Sequence, residues 1–218
     1  TVTVVEKNGI KIAMLNYTYG LNGIKIPAGK EHLVTLLTWS NRDYIRSQIR
    51  QAKELADFVI VFPHWGTEYK YEPDKNQIAW TELFAEECVD LVIGAHPHVL
   101  EPYETVTTEK GNTGLVYYSL GNFISAQYQY ENYNKMVGLM SSLEIHKDVK
   151  GDEVNITIEN VDNDLVYTYY KNWRNFKVIP FSGTEIGEYL PDYRQVYETY
   201  KEVVQSYDSS ISVKPLAG

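Results

Sequence analysis

The chain has 218 residues, 44% of them hydrophobic, enough for one sizeable core or for a main domain with a small appendage. Its formal net charge of −9 leaves no basic stripe to neutralise nucleic-acid phosphates, so no nucleic-acid partner is expected, and an anionic substrate needs local compensation by cations. The single cysteine, Cys88, rules out an internal disulfide framework.

Val2 to Glu6 and Ile10 to Asn16 read as strands around Lys7-Asn8-Gly9, where Asn-Gly signals a hairpin turn. Tyr17 to Gly29 follows as a loop with three glycines and Pro27, of a length that often belongs to a site. Asn41 to Asp57 carries Ile45, Ile49, Ala52 and Leu55 or Ala56 at helical spacing, with Ser40 or Asn41 as amino-terminal cap. The apolar, β-branched run Phe58 to Phe62 reads as a buried parallel strand, and His64 follows it at once. Asp74 and Gln77 have capping-box spacing for a second helix from Lys75 to Val89, with Ala79, Trp80, Leu83, Phe84 and Cys88 on its buried side. That helix leads into Leu91-Val92-Ile93-Gly94, and His96 and His98 lie just beyond the carboxyl end of this strand. Strand, helix and strand with short joints make a βαβ unit, and ligands of open α/β sheets bind at that edge.

Beyond Pro102 the pattern changes to period two. Glu101 to Thr108 and Leu115 to Ser119 flank a glycine-bearing turn, and Val137 to His146, Val154 to Val161 and Leu165 to Tyr170 are further antiparallel candidates. Asp192 to Tyr207 closes the chain as a helix. The expected fold class is α/β, a βαβ part followed by antiparallel strands and a carboxyl-terminal helix, divided into residues 1–164 and a 165–218 extension. The tyrosines at 128, 130 and 133 and from 167 to 170 read chiefly as covers for strand faces, with polymer or partner binding as the alternative.

Three of the five histidines, His64, His96 and His98, stand at corresponding ends of two strands, so they read as metal ligands. In an extended segment residues two apart share a side, and Pro97 stiffens the turn between His96 and His98. His32 and His146 read as ordinary surface residues. Trp65 and Glu68, close behind His64, and Ser119 and Asn122 are candidates for supporting an imidazole or lining the cleft, against the alternatives of a core tryptophan, a solvated carboxylate and turn residues. No residue is singled out as catalytic.

Pro63-His64-Trp65-Gly66-Thr67-Glu68-Tyr69, Asp90 to Val99 with Gly94-Ala95-His96-Pro97-His98, and Tyr118-Ser119-Leu120-Gly121-Asn122-Phe123 together resemble the bacterial capsule-synthesis family of poly-γ-glutamate proteins (PGA_cap, CapA type), within the calcineurin-like metallophosphoesterase superfamily. The resemblance runs from about Asn8 to Phe123 and implies half of a calcineurin-like α/β sandwich with two metals at the sheet edge. His64 and His96 would hold one metal and His98 the other, as Mn, Fe or Zn. The superfamily's remaining ligands come from an amino-terminal half with no counterpart here, and Gly121-Asn122-Phe123 has Phe where an Asn-His pair is needed. An incomplete site with weak or single metal binding is therefore expected. The implied activity is metal-dependent hydrolysis or transfer on a phosphoester or anionic polymer, beside capsule-synthesis membrane proteins. A non-catalytic scaffold for polymer export or anchoring and a mononuclear three-histidine zinc enzyme are the alternatives. The chain shows no signal peptide or membrane-spanning run and opens on Thr1, so a cell-surface location through an upstream anchor or export segment is the expectation.

Overall fold

A computed structural model describes residues 2–127, 133–151 and 153–217. The chain forms two compact units: residues 2–66, 74–96 and 105–117, and residues 67–73, 97–104 and those described from 118 onward.

The first unit is built on a mixed sheet. Strands β1 (Thr3–Lys7) and β2 (Ile10–Thr18) form the expected hairpin, and Asn8 and Gly9 have φ of 53° and 77°, the pair of positive values that a two-residue type I′ turn requires. Helix α1 (Arg42–Leu55) buries Ile45, Ile49 and Ala52 as its spacing predicts. Asn41 holds the cap position, but its side chain does not cap. It donates instead to Leu36 O at 2.9 Å, because a 3-10 turn at Trp39–Asn41 feeds the helix.

Strand β3 (Phe58–His64) pairs in parallel with β2 over seven positions, from Ile12 opposite Phe58 to Thr18 opposite His64. Helix α2 (Lys75–Glu86) starts with the predicted capping box between Asp74 and Gln77. It ends earlier than expected, since Cys88 at φ 59° lies past the last turn, with Cys88 N donating to Ala85 O and Val89 N to Phe84 O. That is a Schellman ending, in which the left-handed residue is usually glycine. Cys88 is accordingly half-buried rather than a core member of the helix.

Strand β4 (Leu91–Ile93) lies parallel beside β3. Asp90 fastens this junction by accepting from Val59 N at 2.7 Å and pairing with Lys53 at 3.0 Å. Strands β5 (Tyr103–Thr107) and β6 (Thr113–Tyr117) complete the sheet in the order β1-β2-β3-β4-β6-β5. Phe84 centres the core beneath it, with the rings of Tyr17, Trp65 and Trp80 at 6.3, 6.2 and 5.9 Å. Burial pushes the Tyr17 phenol above its ordinary range.

The second unit holds an antiparallel sheet of β7 (Val137–Lys150), β8 (Glu153–Lys171) and β9 (Arg174–Pro180). The two strands expected at Val154 to Val161 and Leu165 to Tyr170 are one. Opposite Ser142–Glu144 of β7 the register shifts by one and the extra residue falls on β8, where Asn160 has φ 49°, so the ladder continues through a bulge where the Asp and Asn residues suggest a turn. Strand β9 is an addition to the predicted elements. Its hairpin turns on Asn172 and Trp173, both at positive φ, without the glycine that marks such turns in a sequence. Short α3 (Ile186–Tyr189) and helix α4 (Tyr193–Val204) follow, the latter burying Val196, Tyr197, Tyr200 and Val204. The tyrosines at 167, 169 and 170 lie on β8 and pack against Tyr133, Tyr189 and Phe176, whereas those at 128 and 130 lie outside the described residues.

The α/β class is therefore observed as expected: βαβ connections, then antiparallel strands, then a carboxyl-terminal helix.

Candidate metal centre

In the first unit the β2–β3 register brings Thr18 beside His64, and Thr18 Oγ1 lies 3.2 Å from His64 Nδ1. Tyr19 N donates to His64 O at 2.8 Å, closing the strand end. His64 also bridges to Ala95, with Trp65 N donating to Ala95 O and Ala95 N to Pro63 O, both at 3.0 Å. This splice continues the sheet past β4 and brings the His96 ring to 4.5 Å from that of His64. The Tyr19 ring covers both, at 5.7 Å from His64 and 4.5 Å from His96. His96 is buried, at a φ of 107°.

In the second unit His98 has φ 61° and places Nδ1 3.0 Å from Asn122 Oδ1. Asn122 Nδ2 donates to Lys135 O at 3.0 Å and to Gln127 Oε1 at 3.2 Å. Tyr69 N donates to Pro97 O at 2.8 Å. The Tyr69 ring stacks 6.1 Å from that of His98, and Lys135 Nζ lies 4.0 Å from the Tyr69 centroid. Glu68 is exposed, and its carboxylate lies within 4.8 Å of a His98 ring nitrogen.

The geometry corrects the basis on which His96 and His98 are read together. The His96-Pro97-His98 segment is not extended: both histidines occupy the left-handed half of backbone space, so the chain bends at each. Such conformations cost about 1–3 kcal/mol apiece and persist where surrounding bonds over-determine them, which is common at functional sites.

The supporting residues divide. Asn122 is on His98, and Glu68 stands beside it as a donor in its own right. Trp65 is 2% exposed and packs on Phe84 as a core residue. Ser119 is equally buried, and its hydroxyl donates to Val99 O at 2.8 Å and accepts from Gly121 N at 3.2 Å, so it holds the turn that presents Asn122. His32 and His146 are exposed. Thr18, Tyr19, Tyr69 and Lys135 are additions to the sequence-derived set. The first two fall at the start of the glycine-bearing loop whose length marks it as site-like and Tyr69 ends the motif that begins at Pro63, whereas nothing local to Lys135 distinguishes it.

A carboxylate and imidazoles are a donor set that suits Mn, Fe or Zn. The profile of the bacterial capsule synthesis protein PGA_cap matches residues 1–127. The chain belongs to this capsule synthesis family. Among curated relatives, a PGA biosynthesis protein CapA of Bacillus subtilis (strain 168) is 37% identical over 126 residues, 58% of this chain and 31% of that protein. A capsule biosynthesis protein CapA of Bacillus anthracis is 35% identical over 124 residues, 55% of this chain and 28% of that protein. The chain thus spans about a third of the length of the CapA relatives that it matches. A hypothetical protein of Thermus thermophilus aligns structurally at TM-score 0.39 and 12% identity, over 83% of this chain and 60% of that one.

Proposed function

We propose that this chain supplies divalent-metal ligands to a capsule biosynthesis protein acting on poly-γ-glutamate, with Glu68 and His98 as the ligands of one unit and His64 and His96 as the imidazoles of the other. The observation that carries the reading is the Glu68–His98 pair, a carboxylate and an imidazole within 4.8 Å, with Asn122 behind the imidazole. When bound, an ion of this kind supplies Lewis-acid polarisation for hydrolysis or transfer at a phosphoryl or carbonyl oxygen.

The chain's own residues have separate tasks. Thr18 and Asn122 orient imidazoles, Tyr19 and Tyr69 wall them, and Lys135 brings a positive charge close to Tyr69 on a protein whose net charge is −9. That charge fits an anionic substrate, either the polymer itself or a phosphoester. The site works at the cell surface, alongside the membrane proteins of capsule synthesis. Among the described residues no helix is long and apolar enough to cross a membrane.

The test is polymer yield in capsule-forming cells whose own copy carries Glu68→Ala or His98→Ala, with His146→Ala, an exposed strand position, as control. The proposal expects polymer to fall at least tenfold in the first two at parental protein levels, with the control unchanged. Parental yield in all three overturns it and favours a non-catalytic scaffold.

A further inference from the structure

Which nitrogen of each imidazole carries the proton decides which lone pair a cation meets, and the second hydrogen bonds made by Thr18 and Asn122 determine this. Thr18 has one hydroxyl proton, and Oγ1 donates it to Gly20 O at 2.8 Å. Toward His64 Nδ1 the hydroxyl oxygen therefore only accepts, so Nδ1 carries the proton. Asn122 is fixed by a separate route. Its amide nitrogen faces Lys135 O, a carbonyl that only accepts, so its oxygen faces His98 Nδ1 and receives that proton. In both rings the unprotonated atom is Nε2.

We infer that Thr18 and Asn122 are positioning residues that lock His64 and His98, each within its own unit, in the Nδ1–H tautomer, which makes Nε2 the ligating atom of each ring. The purpose of the device rests on the metal reading above, but the tautomers are properties of the metal-free protein. They also oppose the intrinsic preference, because a neutral imidazole in water favours the proton on Nε2. Each lock belongs to a different unit and uses a different chemical group, a hydroxyl in one and a carboxamide in the other. Thr18 owes its place to its register opposite His64. Asn122 owes its place to the turn at Gly121, which has φ 67° and bridges to Gly138. Partners of this kind are typically worth 10–100-fold in metal affinity.

The experiment is long-range nitrogen–proton correlation NMR on the chelator-treated, nitrogen-15-labelled chain at about pH 8, where an ordinary imidazole is neutral. His64 and His98 are expected in the Nδ1–H form. Thr18→Val is expected to release His64 to the Nε2–H form while His98 stays as it was, and Asn122→Ala to do the reverse. Thr18→Ser, which keeps the hydroxyl, is expected to restore the parental His64 signals. A role confined to packing moves no tautomer. Zinc affinity of the two releasing variants is expected to fall 10–100-fold. An Nε2–H signal for either histidine in the parent, or unchanged tautomers in the variants, overturns the inference. Parental Nδ1–H signals without zinc binding leave the tautomer lock standing and overturn the metal reading instead.

Discussion

Gly138→Ala is a single added methyl that reaches the metal centre through backbone alone. A Cβ at Gly138 would sit 2.2 Å from Asn122 O, 3.1 Å from its carbonyl carbon and 3.3 Å from Leu120 O, where ordinary contact begins near 3.4 Å. Because the obstacle is main chain, rotamer change gives no relief, and Asn122 must move by about 1 Å. That displacement takes its 3.0 Å bonds to His98 and Lys135 O out of hydrogen-bonding range. Overpacking costs about 1–3 kcal/mol and the two lost bonds about 1 kcal/mol each, together about 4 kcal/mol. For a chain of this size that corresponds to a Tm lower by roughly 10 °C. Gly151→Ala is the matched control: it has nothing within 4 Å and only its φ of +64° to strain, worth about 1 kcal/mol or roughly 3 °C. Thermal unfolding followed by circular dichroism, with zinc calorimetry on the same samples, separates them. Gly138→Ala should lower both Tm and zinc affinity, the latter about tenfold or more, and Gly151→Ala only Tm. Equal Tm shifts, or an unchanged affinity in Gly138→Ala, would refute the coupling between this strand and His98.

Other expectations follow from the same contacts. Asp74→Ala removes the acceptor for Asn76 N and Gln77 N and should destabilise by about 1 kcal/mol, read as a lower urea midpoint. Cys88→Gly relieves a left-handed residue at a helix end and should stabilise by about 0.5–1 kcal/mol after the glycine's added chain entropy, read as a slightly higher Tm. Two hydrogen bonds from Arg50 hold the Glu87 carboxyl below the usual carboxylate range, with Arg46 adding to the effect and burial opposing it. The stability this pairing contributes is full above the ordinary glutamate pKa of ~4.3 and drains as pH falls through the lowered folded value. The urea midpoint of the parent should therefore drop more between about pH 7 and pH 3 than that of Glu87→Gln, and parallel profiles would contradict this.

The helices and the parallel core are legible in the sequence because their signals are local. Ile45, Ile49 and Ala52 share one face, Asp74 and Gln77 are three apart, and Phe58 to Phe62 is continuously apolar. The long β8 reads as two strands because Asn160 and the Asp-Asn run after it look like a turn. The bulge in β8 that takes up Asn160 depends on the pairing with β7, which is a tertiary fact. Strand β9 escapes a sequence reading because Asn172-Trp173 lacks the glycine cue. At the site, the sequence points to His64, His96, His98 and Asn122, since motif spacing carries them. Thr18 is out of reach, because its place opposite His64 depends on strand register, and so are Tyr69 and Lys135, which are joined to His98 only through packing.

The most direct test is zinc or manganese titration of the chelator-treated chain by isothermal calorimetry, run in parallel on Glu68→Ala and His98→Ala. The account predicts saturable binding near one ion per parental chain, weakened at least tenfold in each variant. Parental affinity in both variants, or no saturable binding in the parent, would contradict it.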